Sequence, residues 1–162
     1  MALEAFLKFE KEVPGESKRD SHEGELELSS YSFGVSNASD AHTGGGAAAS
    51  IGNFSDLQFS MDLDKASPNL FLAAAQGDHF DKVTLVSRKV GGDALVDYVK
   101  VEMEGVFVSS FQMGASSGSE KAQLSGSLNF GKITFTYTPQ KEDGTPDAEV
   151  VQGFDIKVGK KV

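Results

Sequence analysis

The chain contains no cysteine and no tryptophan, and only three of its 162 residues are histidines. Without cysteine there can be no disulfide scaffold, no thiolate metal site and no cysteine nucleophile. The histidines, His22, His42 and His79, have no partners at metal-ligand spacing, and we expect them at surface or turn positions. No apolar run is long enough to span a membrane. The first residues lack a basic region and a long apolar stretch, and we therefore expect no signal peptide.

Positive charge is scarce in the first half of the chain. Residues 1–81 carry 14 acidic and 5 basic side chains, whereas residues 82–162 carry ten of each, and the net charge is −9. An acidic surface repels phosphate backbones and anionic lipid, so we expect no nucleic-acid partner and no membrane insertion. The acidic half either keeps the protein soluble or meets a less acidic face of a neighbouring copy.

Short segments with strand character dominate the sequence. They are separated by turn residues such as Pro14-Gly15 and Asp143-Gly144. This rhythm is typical of an antiparallel sandwich or barrel, and it shows no repeat and no linker that would divide residues 1–162 into two domains. The predicted strands are 3–9, 25–36, 54–61, 80–89, 94–103, 105–112, 121–137 and 150–158.

The alternation of apolar residues changes phase within two of these strands. Apolar residues fall on even numbers at Leu26 and Leu28 but on odd numbers from Tyr31 onwards, which predicts a bulge near 29–30. A second change predicts a bulge near 131–132. Bent strands allow a sheet to close into a barrel. After the first bulge, three small residues face away from the core: Ser30, Ser32 and Gly34.

One helix is predicted, at about 67–76. Ser67 is placed to cap its first turn, Pro68 suits the following position because its missing N–H costs nothing there, and Gly77 offers a left-handed stop.

A long segment at about 36–53 has almost no bulky side chains. Structureless loops of this length are usually functional or disordered. We expect this loop to contact another subunit, the alternative being a loop without a partner. The candidate contact residues are Asn37, Asp40, His42, Gly44, Gly45, Gly46 and Ser50.

No pattern in the sequence predicts catalysis. Gly114-Ala115-Ser116-Ser117-Gly118 matches a nucleophile elbow, but that motif requires a helix after the serine and a histidine later in the chain. The last histidine is His79, and a strand follows Gly118, which favours a hairpin loop. We therefore predict no catalytic, cofactor-binding or metal-binding residues and no enzyme activity.

The chain resembles the Hcp (haemolysin co-regulated protein) family of type VI secretion systems. The resemblance extends over most of the chain, although Tyr31 and Phe33 stand where tryptophans are common. It is carried by Gly15-Glu16-Ser17, His22 and the segments 26–34, 64–70, 106–110, 128–133 and 137–140.

The resemblance implies a mainly β fold: an antiparallel β-barrel of two packed sheets, with one short helix and a long extended loop. Copies would form a homohexameric ring, and rings would stack into a tube that is tipped by a spike protein and expelled by a contractile sheath. Small effectors would travel in the lumen, lined by Ser30, Ser32 and Gly34. The protein would be made in the bacterial cytoplasm and secreted by the machine to the extracellular space or a target cell.

Two other interpretations remain open at this stage. A phage tail tube protein, or another contractile-injection tube protein, would share the same ring physics. A monomeric β-sandwich that binds sugar or peptide would instead need exposed aromatic residues, which a chain with no tryptophan and three tyrosines hardly offers.

Overall fold

The computed structural model describes residues 3–10, 13–38, 51–91 and 94–162 as strands, one helix and their connections. In chain order the elements are β1 Glu4–Phe9, β2 Leu26–Leu28, β3 Ser30–Ser32, β4 Val35–Ser36, β5 Asn53–Phe54, β6 Leu57–Asp62, α1 Ser67–Gln76, β7 His79–Gly91, β8 Ala94–Gly114, β9 Gln123–Asn129, β10 Lys132–Tyr137, β11 Val150–Asp155 and β12 Lys160–Lys161.

The strands of the main sheet are connected in a closed path around the barrel. From β8 the pairing runs through β7 and β1 to β2, and in the other direction through β9 and β6 to β3. Only Ser29 separates β2 from β3, so the two paths join and close a barrel. All pairings are antiparallel. β10, β11 and β12 extend the sheet outwards from β8, and β4 and β5 form a second sheet. The predicted mainly β, antiparallel barrel is confirmed.

Strand β8 is the longest element, with 21 residues. Its first part pairs with β7 and β10, and its last part pairs with β9. Gly105, with φ +64, lies between the part that pairs with β10 and the part that pairs with β9, and the register with β9 shifts between Val108 and Ser110. The two strands predicted at 94–103 and 105–112 are therefore one bent strand that belongs to both sides of the barrel.

At each of the two predicted bulges the strand is interrupted and one neighbouring strand is exchanged for another. At Ser29 the chain leaves β1 for β6, and the Ser29 N–H donates to the Ser60 carbonyl over 2.8 Å. At Gly131 both β9 and β10 stay paired with β8, while the neighbour on the other side changes from β6 to β11. The Gly131 N–H donates to the Glu104 carbonyl over 3.0 Å. A Cβ at Gly131 would lie 2.6 Å from Cε of Lys157. The phase changes were predicted in the right places, but the prediction of bulges there was wrong.

Helix α1 begins and ends where predicted, but the predicted serine cap is wrong. Ala66 occupies the N-cap position without a side-chain hydrogen bond. The Ser67 hydroxyl instead accepts from the Asp64 N–H over 3.1 Å, and the Asp64 carboxylate accepts from the Ala66 N–H over 2.8 Å. At the other end Gly77 adopts φ +70, as predicted. Leu70 and Ala73 face the core and fix the helix against the barrel.

The core fills the barrel, and the outward extension is only partly covered. Leu7, Leu85 and Leu124 are fully buried, whereas Phe135 on β10 is 39% exposed. For His22 the predicted turn position is confirmed, since its N–H donates to the Arg19 carbonyl over 2.9 Å, but the residue is not at the surface. Its side chain is buried, its ring stacks on Phe6 with centroids 4.3 Å apart, and Nδ1 lies 2.7 Å from Oε2 of Glu25. Within the described ranges, no helix has the length and apolar character needed to cross a membrane.

Candidate functional site

Four neighbouring strands, β3, β6, β9 and β8, carry small polar side chains on the side that faces away from the core. We call this surface the serine face. It consists of Ser30, Ser32, Gln58, Ser60, Ser110, Gln112, Ser125 and Ser127.

The strand register arranges these side chains in two rows across the sheet. One row contains Ser30, Ser60, Ser125 and Gln112, and the other contains Ser32, Gln58, Ser127 and Ser110. Between them a third row turns to the core, because side chains alternate faces along a strand. Its members are Tyr31, Phe59, Gly126 and Phe111.

Gly126 makes room for an aromatic ring under the serine face. A Cβ at this position would lie 2.7 Å from Cζ of Phe59 and 3.3 Å from the Ser110 carbonyl oxygen. Only the absence of a side chain lets the Phe59 ring lie against the β9 backbone. The flat polar face therefore depends on a glycine in the row beneath it.

The hydroxyl groups of the serine face bond to each other. The Oγ atoms of Ser30 and Ser60 are 2.5 Å apart, and those of Ser110 and Ser127 are 2.6 Å apart. The face lines a shallow groove of about 470 Å³, and no histidine or carboxylate is among its lining residues. A serine without a nearby base is a weak nucleophile, so the groove offers hydrogen bonding and not catalysis.

A carboxylate lies at each end of the serine face. At one end the Asp56 carboxylate accepts from Asn129 Nδ2 over 2.9 Å and from the Ser109 hydroxyl over 2.6 Å. At the other end the Asp62 carboxylate accepts from the side-chain amide of Gln123, its partner on β9. Each carboxylate thus accepts a hydrogen bond from an amide side chain on strand β9.

Beyond Asp62 the surface becomes strongly acidic. A depression there is lined by Glu16, Glu27, Asp62 and Asp64, with Lys121 beside them. Burial raises the pKa of the Asp64 carboxyl above its ordinary value of 3.8, and the nearby charge of Glu16 adds to this effect. In the part of the chain that the structure describes, no group of three histidine or acidic side chains could hold a metal ion.

The structure places the predicted lumen residues in two environments. Ser30 and Ser32 lie on the serine face, as the phase change suggested. Gly34 lies past the end of β3, where its N–H donates to the Ser55 hydroxyl over 2.9 Å, and it does not line the groove. Their contact with cargo stays a prediction.

The predicted contact loop is only partly described. Asn37 is exposed, and the antiparallel pairing of Val35–Ser36 with Asn53–Phe54 holds the ends of the segment together. Asp40, His42, Gly44, Gly45, Gly46 and Ser50 lie outside the described residues.

Sequence reasoning missed six of the eight residues of the serine face. A signal was present, because Gln58 and Ser60 alternate with Phe59, and Ser125 and Ser127 flank Gly126. Polar alternation in one strand does not reveal which strand lies beside it. The rows become visible only when the register is known.

The serine-face sheet has two open edges in the described structure. Strand β3 pairs with β6 alone, and the part of β8 beyond Phe107 pairs with β9 alone. Each of the four strands runs opposite to its neighbour, so β3 and β8 run in opposite directions. Open strand edges pair with other chains unless they are protected.

Comparison with known proteins identifies similar chains across the whole length. A family model described as "Type VI secretion system effector, Hcp" matches residues 6–137. The chain is 37% identical over 158 residues to protein hcp1 of Pseudomonas aeruginosa, with 97% of each chain covered.

Solved structures show the same architecture. A type six secretion system protein of 27% identity superposes with a TM-score of 0.92, covering 99% of this chain and 100% of the other. Hcp1 from Salmonella typhimurium, at 28% identity, superposes with a TM-score of 0.79 and full coverage of both chains.

Proposed function

Because this chain belongs to the Hcp family of type VI secretion proteins, we propose that its copies join through the open edges of β3 and β8 into a ring with the serine face inside. Proteins of this family are secreted, structural subunits of the type VI tube and are not enzymes. The proposal takes residues 1–162 as one barrel unit and six copies per ring.

The direction of the edge strands carries this proposal. Because β3 and β8 run in opposite directions at the two ends of one four-stranded sheet, β8 of one copy would lie antiparallel to β3 of the next. The antiparallel alternation of strand directions would therefore continue across each contact between subunits. Such a contact uses two different surfaces and closes into a ring when the rotation permits.

The serine face would then line the lumen and contact small effectors through Ser30 and Ser32, with Gly34 at its margin. The loop at 36–53 would contact neighbouring subunits or the next ring in the tube. The spike protein would cap the tube, and the sheath would surround it and drive it out of the cell. The subunit would reach the extracellular space or a target cell by this expulsion.

The cysteine-free chain allows a direct test of the edge contact. Four double variants place one cysteine at Ser30 or Ser32 and the other at Ser110 or Gln112, to cover the possible registers. Within one subunit β3 and β8 are three strand spacings apart, roughly 14 Å. A disulfide needs Cα atoms within about 7 Å, so only cysteines on neighbouring copies can join.

We expect at least one double variant to give a ladder of cross-linked species ending at the hexamer on a non-reducing gel, with single-cysteine variants as controls. Light scattering and negative-stain imaging of the unmodified protein should show sixfold rings. A monomer in solution would contradict the ring. Rings that give no cross-links in any of the four variants would contradict the edge contact.

Cargo contact is tested by Ser32→Gln, with Ser119→Gln in the exposed β8–β9 connection as the control. The longer side chain should fill the groove beside Gln58 without touching the core, so that rings persist while co-purification of a cognate effector is impaired. Unchanged effector retention by Ser32→Gln would contradict the assignment of Ser32 to the cargo surface.

A further inference from the structure

The serine face has no charged side chain of its own, and a carboxylate lies at each of its ends. Its eight residues are hydroxyl and carboxamide side chains, and the end groups are the carboxylates of Asp56 and Asp62. Lys121 lies past Asp62 and lines a depression beside Gln112 and Ser125 at the margin of the face. It also lines the acidic depression of Glu16, Glu27, Asp62 and Asp64, where the acidic side chains outnumber it. A molecule lying along the face therefore meets neutral hydrogen-bonding groups between two negative ends.

Both end carboxylates are held in place and keep bonding capacity. Asp56 accepts one bond at each carboxylate oxygen, from Asn129 and from Ser109. A carboxylate has about four lone-pair sites, so two bonds leave room for a further donor. Bonds from charged donors such as lysine or arginine are about twice as strong as those between neutral groups.

Ring assembly would repeat these charges around the lumen. Asp56 and Asp62 lie at opposite ends of β6, about 20 Å apart at the usual rise per residue of a strand. Because the screening length is about 8 Å at physiological salt, the two levels would act as separate rings of carboxylates. Rings of carboxylates inside a narrow passage concentrate positive charge there.

We propose that the serine face selects protein cargo with a basic surface, rich in lysine and arginine, and that Asp56 and Asp62 set this preference. The inference rests on the proposed function, since it takes this face as the cargo surface. The hydroxyl and amide groups contribute little each to the net affinity, because they exchange bonds with water. They bind polar cargo of any charge, and the carboxylates discriminate between cargo of opposite charge.

The test uses two short fluorescent peptides with the same serine and glutamine framework, one carrying lysines and the other glutamates. Fluorescence anisotropy measures the binding of each to the assembled full chain at low and at high salt. We expect the lysine peptide to bind roughly tenfold more tightly at low salt, and the preference to fall as the screening length shrinks to about 3 Å near 1 M salt.

The double variant Asp56→Asn/Asp62→Asn should bring the two affinities within about twofold of each other, since the remaining contacts are neutral. Asp81→Asn is the matched control, because the Asp81 side chain is 89% exposed on β7 and lies off the serine face. Combined with Glu142→Gln in an exposed connection, it removes the same two units of negative charge as the double variant and should leave the preference in place.

Light scattering on the same samples separates this inference from the proposed function. Intact rings that bind both peptides equally, or a preference that persists in Asp56→Asn/Asp62→Asn, would overturn the selection of basic cargo. A monomer whose lysine preference disappears in the double variant would overturn the ring while supporting the role of the two carboxylates.

Discussion

The close packing beneath the serine face depends on the absence of a side chain at Gly126. A Cβ there would lie 2.7 Å from Cζ of Phe59, whose side chain is itself buried. We expect Gly126→Ala to lower the free energy of unfolding by about 1–3 kcal/mol, the usual cost of overpacking. Urea denaturation measures the change. Ser125→Ala, one residue away on the exposed face, is the control, and equal stability of the two variants would contradict the prediction.

Glu102 makes the stability depend on pH in the acid range. A hydrogen bond from Lys100, whose Nζ lies 2.9 Å away, lowers the pKa of this carboxyl below its ordinary value of 4.5 despite partial burial. Because the pKa is lower in the folded state, Glu102 stabilises the fold above about pH 4.5, and this stabilisation is lost as the pH falls through the folded-state pKa.

The variant Glu102→Gln should therefore show a shallower fall in urea midpoint between neutral and acid pH. Glu142→Gln, in an exposed connection, removes the same charge and should follow the unmodified chain. A Glu102→Gln profile that overlays the unmodified one would show that the Lys100 contact does not contribute.

The role of a single residue was predictable only where it depends on that residue alone and not on its neighbours in the fold. Gly77 needs no neighbour to favour a left-handed conformation, and the sequence predicted it correctly. Ser67 looks like a helix cap, but its hydroxyl is used by the Asp64 N–H, because the residues before the helix form a turn of their own. His22 was expected at the surface or in a turn, and its burial was not predictable because nothing in the sequence brings Phe6 over its ring.

At the scale of elements, the end of α1 offers a clean test of backbone strain. Gly77 has φ +70, and a Cβ there would meet nothing within 4 Å, so the cost of a side chain is conformational alone. We expect Gly77→Ala to lower the free energy of unfolding by about 1 kcal/mol. Gly114→Ala is the control, because that position is equally open but has no positive φ. Equal urea midpoints for both variants would contradict this account.

The positions of strands were predictable, but their partners were not. Alternation placed strands at 80–89 and 121–137, close to the observed ones, and located both phase changes. It could not show that β6 replaces β1 as a neighbour at Ser29, or that β11 replaces β6 at Gly131, because periodicity reports which face is buried and not which strand lies alongside. The joining of 94–103 and 105–112 into β8 likewise depends on Gly105, whose φ of +64 keeps the strand continuous through a bend.

At the scale of the whole molecule, assembly should contribute to measured stability. If folded copies join through the edges of β3 and β8, the ring binds the folded state and not the unfolded one. The melting midpoint should then rise with protein concentration over roughly a hundredfold range. An oxidised ring cross-linked between β3 and β8 should lose this dependence. A midpoint that does not change with concentration in the unmodified chain would indicate that the subunits melt independently.

The fold and the family were predictable from the sequence because their signals extend over the whole chain. The outward-facing positions of Ser30 and Ser32 were predicted from the phase change near Ser29, a local signal. The other six residues of the serine face come from β6, β8 and β9, and their rows depend on the strand register.

The course of β8 also has a mechanical consequence. This strand is hydrogen-bonded to β7 and β10 in one part and to β9 in the other, so it ties the wall of the serine face to the outer sheet. A pull along the axis of β8 loads its backbone hydrogen bonds to the neighbouring strands in shear, so many of them must break at the same time. Peeling a strand from the edge of a sheet would instead break them one after another. A subunit built around such a tie keeps this wall and its outer sheet together under a force along β8, without unravelling from an edge.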